Sequence, residues 1–499
     1  LYFIFAQLYL NGFIALRPTP SRFYKFCFWL LQCLLLTKYT TRQSNRKITV
    51  NFFLASNIFD NHDFPLIVVL LSVATEKKLI TFKLMIRRIM MKFTLIFLIC
   101  LVSISSCSIN PDPQKSDTVT SGISLNRLVH YENYINNEIN IGKIPGAVAV
   151  IARNGKIVYN KSFGYRNVAE KIAMEKNDIF SIASMTKPII SVAFMMLYEE
   201  GHFLLTDPVS KYLPKFKDLV VIKNEGTGKN GETVPMNRQI TMADLLTHTS
   251  GMSHGHGNSK LEKDFKSARY GEHTTVLSRV NSYMDIPLTN QPGEKWHYSA
   301  SHDVASVLIE QFSGLSTDEF LKQRLFIPLD MNDTGYNIAS AKQYRGVQLH
   351  SQNKEGALIN SETQIPMSDN TIWAGTSGLF SSASDYLKFG QMLLNNGESN
   401  GQQFLSRKTI DLMTIDHVGG WSANRPGWGF GLGFAVVTDV AATKNLGSEG
   451  IYFWAGAFNT HFLIDPKEKI VAIFMTQSEP FSMQYHNEMQ QMIYQAIVD

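Results

Sequence analysis

The spacing of apolar residues changes twice along this chain, and these changes limit the folds that it can adopt. A helical pattern over residues 125–139 precedes two apolar runs, 147–152 and 157–163, which flank Asn154-Gly155. An Asn-Gly pair between two apolar runs is typical of a β-hairpin. The main body of the chain is therefore expected to begin with a helix and a hairpin.

A long helical middle follows the hairpin, and strands return only near the end. Apolar periodicity predicts helices over 184–200, 242–247, 302–312, 318–325 and 385–394. Strand-like runs then occupy 429–437, 452–454, 460–464 and 470–476, before a last helix over 483–497. The simplest assembly is an α+β fold: front and back strands share one antiparallel sheet, the N- and C-terminal helices flank it, and the helical middle is an inserted subdomain.

The first ninety residues differ from the rest of the chain. They begin with Leu1, mix apolar bursts with basic residues, and show no clear periodicity. Their apolar runs are shorter than the roughly 20 residues of a membrane-spanning helix. We interpret residues 1–90 as non-native upstream translation and expect the true start at Met90 or Met91.

Residues 91–107 have the pattern of a bacterial export signal, in which a basic residue precedes an apolar core and small residues. Their ending resembles a lipobox, where Cys107 becomes the lipidated first residue and acyl chains hold the protein at a membrane. An ordinary signal peptide with an incidental cysteine is the alternative. Residues 108–124 are polar and are expected to form a tether. These features predict a location in the bacterial periplasm or at the cell surface.

Cysteine placement and net charge exclude several classes of function for the body over 125–499. The cysteines are Cys27, Cys33, Cys100 and Cys107, so this body contains none. It therefore has no disulfide, no thiolate metal site and no cysteine nucleophile. A net charge of +5 over 499 residues does not indicate a nucleic-acid-binding protein.

A serine and a lysine stand three residues apart, as Ser184 and Lys187, at the head of the apolar run 189–197. Residues three apart share a helical face, so a hydroxyl and an ammonium meet at the positive end of a helix. This pairing can activate a serine as a nucleophile. The spacing also arises by chance, since it recurs at Ser44 and Lys47. The alternative interpretation is an N-cap serine beside a solvated lysine.

Two later stretches offer groups that could work beside Ser184. A Pro-Gly turn precedes Tyr298, which is followed by a predicted helix, so its phenol is expected to face a cleft. The alternative is a packing aromatic ring with a satisfied hydroxyl. Further along, a strand carrying Trp454 continues into Gly456, and a glycine in a strand lets the backbone approach a ligand closely.

Taken in order, Ser-x-x-Lys, Tyr-Ser-x and a strand bearing Trp-x-Gly resemble the serine β-lactamase and penicillin-binding-protein superfamily. The similarity spans about 125–499 and is greatest to class C β-lactamases and the related family VIII esterases. Further similar stretches lie at 240–251, 378–382 and 465–466. The resemblance implies a two-part fold with the site between the sheet and the helical subdomain. No cofactor is expected.

The resemblance also implies a role for individual residues. Ser184 resembles the nucleophile, and Lys187, held neutral by its surroundings, accepts or relays the serine proton. Tyr298 resembles the residue that passes this proton to the leaving group and activates the deacylating water. The backbone N–H groups of Ser184 and Ala457 correspond to the oxyanion hole.

Two departures from the superfamily pattern indicate its esterase branch. Trp454 and Gly456 correspond to the substrate-binding strand, but Trp454 replaces a lysine or histidine that helps bind a substrate carboxylate. The second motif ends in Ala300, where an asparagine would bind a substrate amide. The resemblance therefore implies hydrolysis of small carboxylic esters or related acyl substrates. Two alternatives stay open: a β-lactamase or D-amino-acid peptidase acting on peptidoglycan fragments, and a penicillin-binding-like lipoprotein without turnover.

Two other patterns suggest chemistry that their context does not favour. Gly-x-Ser-x-Gly at 251–255 matches the nucleophile elbow of α/β-hydrolases. That elbow needs a strand before Ser253 and a helix after it, whereas a helix and a polar loop are expected here. His248, His254 and His256 lack a nearby carboxylate pair or cysteine, so we interpret them as loop residues rather than as a metal site.

Overall fold

The structure is a computed structural model. It describes residues 119–420 and 425–499, together with the backbone of two short strands nearer the front. These strands, Thr40–Gln43 and Arg46–Thr49, pair antiparallel within the first of the two units into which the chain divides, Leu1–Pro113.

Ser44 and Cys107 lie outside the described residues, and so do 1–39 and 50–118. The interpretations of this region as upstream translation, an export signal and a lipid anchor therefore stay predictions, as does the tether over 108–118. The last residues of the predicted tether differ from that prediction, since Val119–Thr120 pairs with Ile123–Ser124 and both Ile123 and Ser124 are buried. Among the residues that the structure describes, no helix is long and apolar enough to cross a membrane.

One antiparallel sheet of eight strands organises the second unit, Gln114–Asp499. In chain order its strands are β1 Gly146–Arg153, β2 Lys156–Asn167, β3 Ile172–Ala173, β4 Trp428–Phe430, β5 Ala435–Val437, β6 Tyr452–Gly456, β7 Thr460–Asp465 and β8 Ile470–Met475. Their spatial order is β4-β5-β6-β7-β8-β1-β2-β3. Strand β8 pairs with β1, from Ile470 opposite Arg153 to Met475 opposite Val148. The prediction that front and back strands share a sheet is confirmed.

Helices cover both faces of this sheet. They are α1 Leu125–Asn140, α2 Thr186–Glu199, α3 Met242–Thr247, α4 Lys260–Tyr270, α5 Val276–Tyr283, α6 Ser301–Ser313, α7 Thr317–Leu321, α8 Ala383–Leu394, α9 Arg407–Met413, α10 Val440–Thr443 and α11 Gln484–Tyr494. On β8, Phe474 packs against Tyr131 of α1 and Tyr485 of α11. Val471 lies against Gly390 of α8 instead. Residues three apart on a strand face opposite sides, so the terminal helices and α8 cover opposite faces.

Smaller elements complete the second unit. Short antiparallel pairs join Val119–Thr120 to Ile123–Ser124, Ile179–Ser181 to Phe380–Ser382, Val220–Ile222 to Thr233–Pro235, His350–Gln352 to Leu358–Asn360, and Glu398–Ser399 to Gln402–Gln403. The front hairpin turns as predicted, since Asn154 and Gly155 have φ angles of 54° and 72°. Two positive φ angles are the type I′ geometry that matches the twist of a hairpin.

Two elements differ from their prediction. Residues 429–437 were expected as one strand but form β4 and β5, with a turn between them. Gly433 in that turn has a φ of 95°, and a side chain there would begin 2.1 Å from Ser191 Oγ, so close packing against α2 breaks the strand. The helix expected over 318–325 is α7 followed by one π-helical turn, Lys322–Phe326.

Candidate active site

Ser184 lies in a tight turn between a short strand and a buried helix. The strand Ile179–Ser181 leads into the 3-10 turn Ala183–Met185, and α2 begins at Thr186. Ala183 has a φ of 44°, a left-handed conformation that is uncommon for a residue with a side chain. Such strain persists only where the surrounding packing holds it, and it is frequent at functional sites. Ser184 thus precedes the α-helix, whereas the sequence placed it in the first helical turn.

The structure brings Ser184, Lys187 and Tyr298 together, although Tyr298 is 114 residues away along the chain. The Tyr298 hydroxyl donates to Ser184 Oγ over 2.8 Å. Lys187 Nζ lies 3.4 Å from the same oxygen and 4.6 Å from the centre of the Tyr298 ring. Because Oγ accepts a hydrogen bond from Tyr298, its own proton is free to point at Lys187.

Lys187 is buried in α2 and is only 1% exposed. Burial lowers the pKa of Lys187 well below its usual value, the charge of Arg269 lowers it further, and Asp303 opposes this shift. Its Nζ donates to the Thr376 carbonyl over 2.8 Å. A neutral amine has two N–H donors and one lone pair, so it can hold Thr376 and accept a proton from Ser184 at the same time.

Asp303 in α6 fixes the carbonyl that holds the lysine. Its Oδ1 accepts from the Thr376 backbone N–H at 2.9 Å and from the Thr376 hydroxyl at 2.6 Å. Its Oδ2 accepts from the Tyr283 hydroxyl at 2.9 Å. These bonds satisfy a fully buried carboxylate, so Thr376 has a defined orientation towards Lys187.

Tyr298 keeps its proton in the resting enzyme. Burial raises the pKa of Tyr298 to about 12, although hydrogen bonds with Ser184 and Trp454 and the charge of Arg269 act in the opposite direction. A phenol with this pKa is protonated at neutral pH. Tyr298 is therefore an acid that can give a proton, and it becomes a base only after it has done so.

A stack of aromatic rings fixes the plane of Tyr298. The His254 ring lies 4.7 Å from it at an interplanar angle of 18°. The Trp296 ring lies 6.0 Å away at 20°, and His256 lies 4.1 Å from His254. Offset stacking of this kind restricts rotation of the phenol, so its hydroxyl stays directed at the serine.

Strand β6 brings the third predicted motif to the same place. A side chain at Gly456 would begin 2.3 Å from the Ile182 carbonyl oxygen, so only glycine lets β6 approach the serine turn this closely. Trp454 and Ala457 line the same cavity as Ser184. The predicted roles of Trp454 and Gly456 in substrate binding, and of Ala457 in the oxyanion hole, stay predictions.

A cavity of about 510 Å³ opens over Ser184. Its wall is mainly aromatic and apolar, and includes Trp296, Tyr298, Phe453, Trp454, Phe481 and Met483. Arg425 is the one side chain with a fixed charge among the described residues that line it, and its guanidinium lies 5.1 Å from the Trp428 ring. A cavity of this size and lining suits a small organic molecule with a large apolar part.

Comparison with known proteins identifies the family. The Beta-lactamase family model matches residues 132–492. The chain belongs to the β-lactamase family. An uncharacterized protein of Mycobacterium tuberculosis (strain CDC 1551 / Oshkosh) is 30% identical over 352 residues, which cover 68% of this chain and 87% of that protein. Esterase EstB of Burkholderia gladioli is 25% identical over 357 residues, which cover 67% of this chain and 86% of EstB.

A solved structure gives the same fold. EstCE1, a hydrolase with promiscuous acyltransferase activity, matches with a TM-score of 0.65 and 23% identity, covering 74% of this chain and 99% of EstCE1. The predicted superfamily and the predicted α+β fold are thereby confirmed. The protein is an enzyme of the β-lactamase-fold serine hydrolase family.

Sequence reasoning missed three residues that support this β-lactamase-family site: Arg269, Asp303 and Thr376. An acidic residue inside the apolar pattern over 302–312 was a usable signal for Asp303. Thr376 holds Lys187 through its backbone carbonyl, which no side-chain pattern reveals. Arg269 belongs to α4, a helix rich in charged residues, and no local pattern indicated that its charge acts on Lys187.

Ser253, the other candidate nucleophile, has a different environment. Its Oγ donates to Glu262 Oε2 over 2.6 Å and accepts from the Gly255 backbone N–H over 3.0 Å. Ser253 is 1% exposed, so a substrate cannot reach it. The short helix α3, ended by the left-handed His248, precedes it, so the strand that a nucleophile elbow requires is replaced by a helix.

The three histidines of the second pattern pack within the β-lactamase-family site. His248 Nδ1 shares a hydrogen bond with Ser299 Oγ at 2.9 Å, and His254 Nδ1 accepts from Arg269 at 2.7 Å. Burial lowers the pKa of His256 to about 4 and that of His248 and His254 well below the usual value. Within 119–420 and 425–499, no cluster of His, Cys, Asp and Glu side chains could hold a metal ion.

Proposed function

We propose that this enzyme hydrolyses carboxylic esters through a covalent acyl-enzyme on Ser184. The supporting observation is the contact of one serine oxygen with two complementary groups. Ser184 Oγ lies 2.8 Å from the protonated phenol of Tyr298 and 3.4 Å from the Lys187 amine, whose pKa is lowered by burial. An acceptor for the serine proton and a donor for the leaving group are the two needs of acyl transfer.

Acylation begins when Ser184 Oγ attacks the ester carbonyl carbon and its proton passes to the lone pair of Lys187 Nζ. The carbonyl oxygen takes the electron pair, and the backbone N–H groups of Ser184 and Ala457 stabilise this oxyanion. The intermediate collapses as the bond to the alcohol oxygen breaks. Tyr298 gives its proton to the departing alkoxide and recovers one from the Lys187 ammonium.

Deacylation repeats these steps with water in place of the alcohol. Water attacks the acyl carbon, and its proton passes to the Lys187–Tyr298 pair. Tyr298 takes part in this transfer because its hydroxyl contacts Ser184 Oγ directly. The bond between the acyl carbon and Ser184 Oγ then breaks, and Ser184 regains a proton. The products are a carboxylic acid, an alcohol and the starting enzyme.

The proposed substrates are small esters with an apolar acyl or alcohol part. The cavity wall supports this, since most of its lining is aromatic or apolar and offers dispersion and burial. Ala300 is 1% exposed and carries no group that could bind a substrate amide. Trp454 likewise brings no charge for a substrate carboxylate. Both features favour an ester over a β-lactam or a D-peptide.

The proposal is tested with the purified protein and its Ser184→Ala variant on p-nitrophenyl acetate and butyrate, with nitrocefin and a D-Ala-D-Ala peptide in parallel. We expect ester turnover that the variant loses, and a fluorophosphonate adduct on Ser184 found by peptide mass spectrometry. Equal ester hydrolysis by the variant would overturn the proposal. Preferential turnover of nitrocefin or the D-peptide would establish a β-lactamase or a D-amino-acid peptidase instead. Absence of any adduct on Ser184 would establish a penicillin-binding-like lipoprotein without turnover.

We further propose that the enzyme is exported and anchored to a membrane through lipid on Cys107. The support is the sequence of residues 91–107, with its basic start, apolar core and small residues before the cysteine. The protein is expressed in bacteria that are supplied with an alkyne fatty acid. We expect the wild-type protein to carry the alkyne label and the Cys107→Ala variant to carry none. Cleavage without labelling would identify an ordinary signal peptide instead.

A further inference from the structure

Arg269, in helix α4, is a buried cation in an unusual setting. It is 4% exposed, yet among the residues that the structure describes it makes no ion pair with a carboxylate. Burial of a charge without a counter-charge is unfavourable, because water no longer solvates it. A buried guanidinium that lacks a counter-charge is therefore a group whose positive charge acts on its surroundings.

The contacts of Arg269 lead to both partners of the serine. Its Nη1 donates to His254 Nδ1 over 2.7 Å, and the His254 ring stacks on Tyr298. Its Nη2 donates to Ser377 Oγ over 3.2 Å, and the preceding residue, Thr376, holds Lys187. The guanidinium of Arg269 thus joins the loop that packs against Tyr298 to the loop that holds Lys187.

We propose that Arg269 is a positioning residue whose fixed charge keeps Lys187 in the neutral form that accepts the Ser184 proton. This inference rests on the proposed function of Ser184 and Lys187. The charge acts on Lys187 through the buried interior, where screening by water is weak. It also favours the transient phenolate of Tyr298, since a nearby cation stabilises the anion formed when the phenol gives up its proton.

The charges around Lys187 support this assignment. Arg269 and Asp303 act on it with opposite signs, Arg269 favouring the neutral amine and Asp303 the ammonium. The neighbouring His248 and His302 are fully buried, and burial lowers the pKa of both well below the usual value, so they add no charge at neutral pH.

The test is the pH dependence of kcat/KM for p-nitrophenyl butyrate in wild type, Arg269→Gln and Arg269→Lys. Lys187 must be neutral to act, so activity falls as the pH drops through its pKa. Loss of the Arg269 charge raises that pKa, so the acid limb of Arg269→Gln should move to higher pH by about one unit. Arg269→Lys keeps the positive charge, so its acid limb should stay at the pH of the wild type, even if its kcat/KM falls a few-fold.

Two outcomes decide the inference. Equal loss of activity in Arg269→Gln and Arg269→Lys with an unshifted acid limb would show a merely structural role for Arg269 and overturn the inference.

Asp303→Asn gives a check of opposite sign, because removing that negative charge should lower the pKa of Lys187 and move the acid limb to lower pH. Where turnover is too slow, the rate at which a fluorophosphonate labels Ser184 titrates the same lysine. An inactive Ser184→Ala together with an unshifted Arg269→Gln limb would reject this inference alone and leave the proposed function standing.

Discussion

Ser184 and Ser253 sit in two neighbouring regions that differ in what surrounds the hydroxyl. Ser184 Oγ accepts from the Tyr298 phenol and faces the amine of Lys187, and it borders a cavity. Ser253 Oγ donates to the Glu262 carboxylate and accepts from a backbone N–H, and it is sealed from solvent. Both serines match a short catalytic spacing, but only Ser184 combines a nearby amine, a phenol and an open cavity for a substrate.

Lys187, the partner of Ser184, and Glu262, the partner of Ser253, also differ in their effect on the stability of the fold. Burial lowers the pKa of Lys187 well below its usual value, so protonation of this amine stabilises the unfolded chain more than the folded one, and this opposes folding at neutral pH. Hydrogen bonds from His297, Ser253 and Gly257 outweigh burial and lower the pKa of Glu262 to about 2, which favours folding. The catalytic pair is thus held against a stability penalty, whereas the other serine belongs to a stabilising cluster.

The largest effect on catalysis is expected on removing the amine of Lys187. Lys187→Met should lower kcat/KM by about 10³-fold or more, because the serine loses its proton acceptor. The same change should raise the free energy of unfolding by about 1–3 kcal/mol, since an apolar chain replaces a buried amine. Ester assays and urea denaturation measure the two quantities. A variant that loses both activity and stability would contradict this account of the site.

A smaller loss is expected from Tyr298→Phe. The phenol delivers a proton to the departing alkoxide, so kcat/KM for an alkyl ester should fall by about 10²-fold. A p-nitrophenolate needs no proton to leave, so acylation by a p-nitrophenyl ester should fall less. The ratio of the two losses, measured by stopped-flow acylation, separates the acid role from a packing role. Equal losses would mean that Tyr298 only positions Ser184.

The pH profile distinguishes the two serine regions without mutation. If Ser184 acts through Lys187, kcat/KM should fall about tenfold per pH unit once the pH drops below the lysine pKa. At the alkaline side Tyr298 keeps its proton until the pH approaches its pKa of about 12, so activity should reach a plateau. A profile that stays flat down to the titration of Glu262, at about 2, would point to Ser253 instead.

The sequence predicted those parts of the fold that local patterns encode. The Asn154-Gly155 hairpin, the strand runs near the end of the chain and the terminal helices follow from alternation and turn chemistry. That front and back strands share one sheet followed from the simplest assembly of these elements. The break at Gly433 does not, because it depends on the approach of Ser191 from another element. Contacts of this tertiary kind cannot be read from spacing in one segment.

The same limit applies to the site. Ser184 and Lys187 lie three residues apart on one turn, and an apolar run after them marked the helix that buries the lysine. Tyr298 was found through the order of motifs, but its distance to Ser184 is set by the packing of α6 against α2. Arg269 reaches Ser377 across 108 residues, so only the folded chain reveals it.

The smallest effect on catalysis is expected at Ser253, where stability should change instead. Ser253→Ala and Glu262→Gln should leave kcat/KM within about threefold, yet lower the free energy of unfolding by about 1–3 kcal/mol, because each leaves buried hydrogen-bonding groups without a partner. The Glu262 contribution has a defined pH window. Its pKa is lowered in the folded state, so this stability is present above its unfolded pKa of about 4.3 and is lost as the pH falls towards 2. Urea denaturation at pH 7 and pH 3 should therefore show a difference between wild type and Glu262→Gln that narrows at the lower pH. A difference that stays constant would mean that the carboxylate stabilises this loop by packing rather than by its charge.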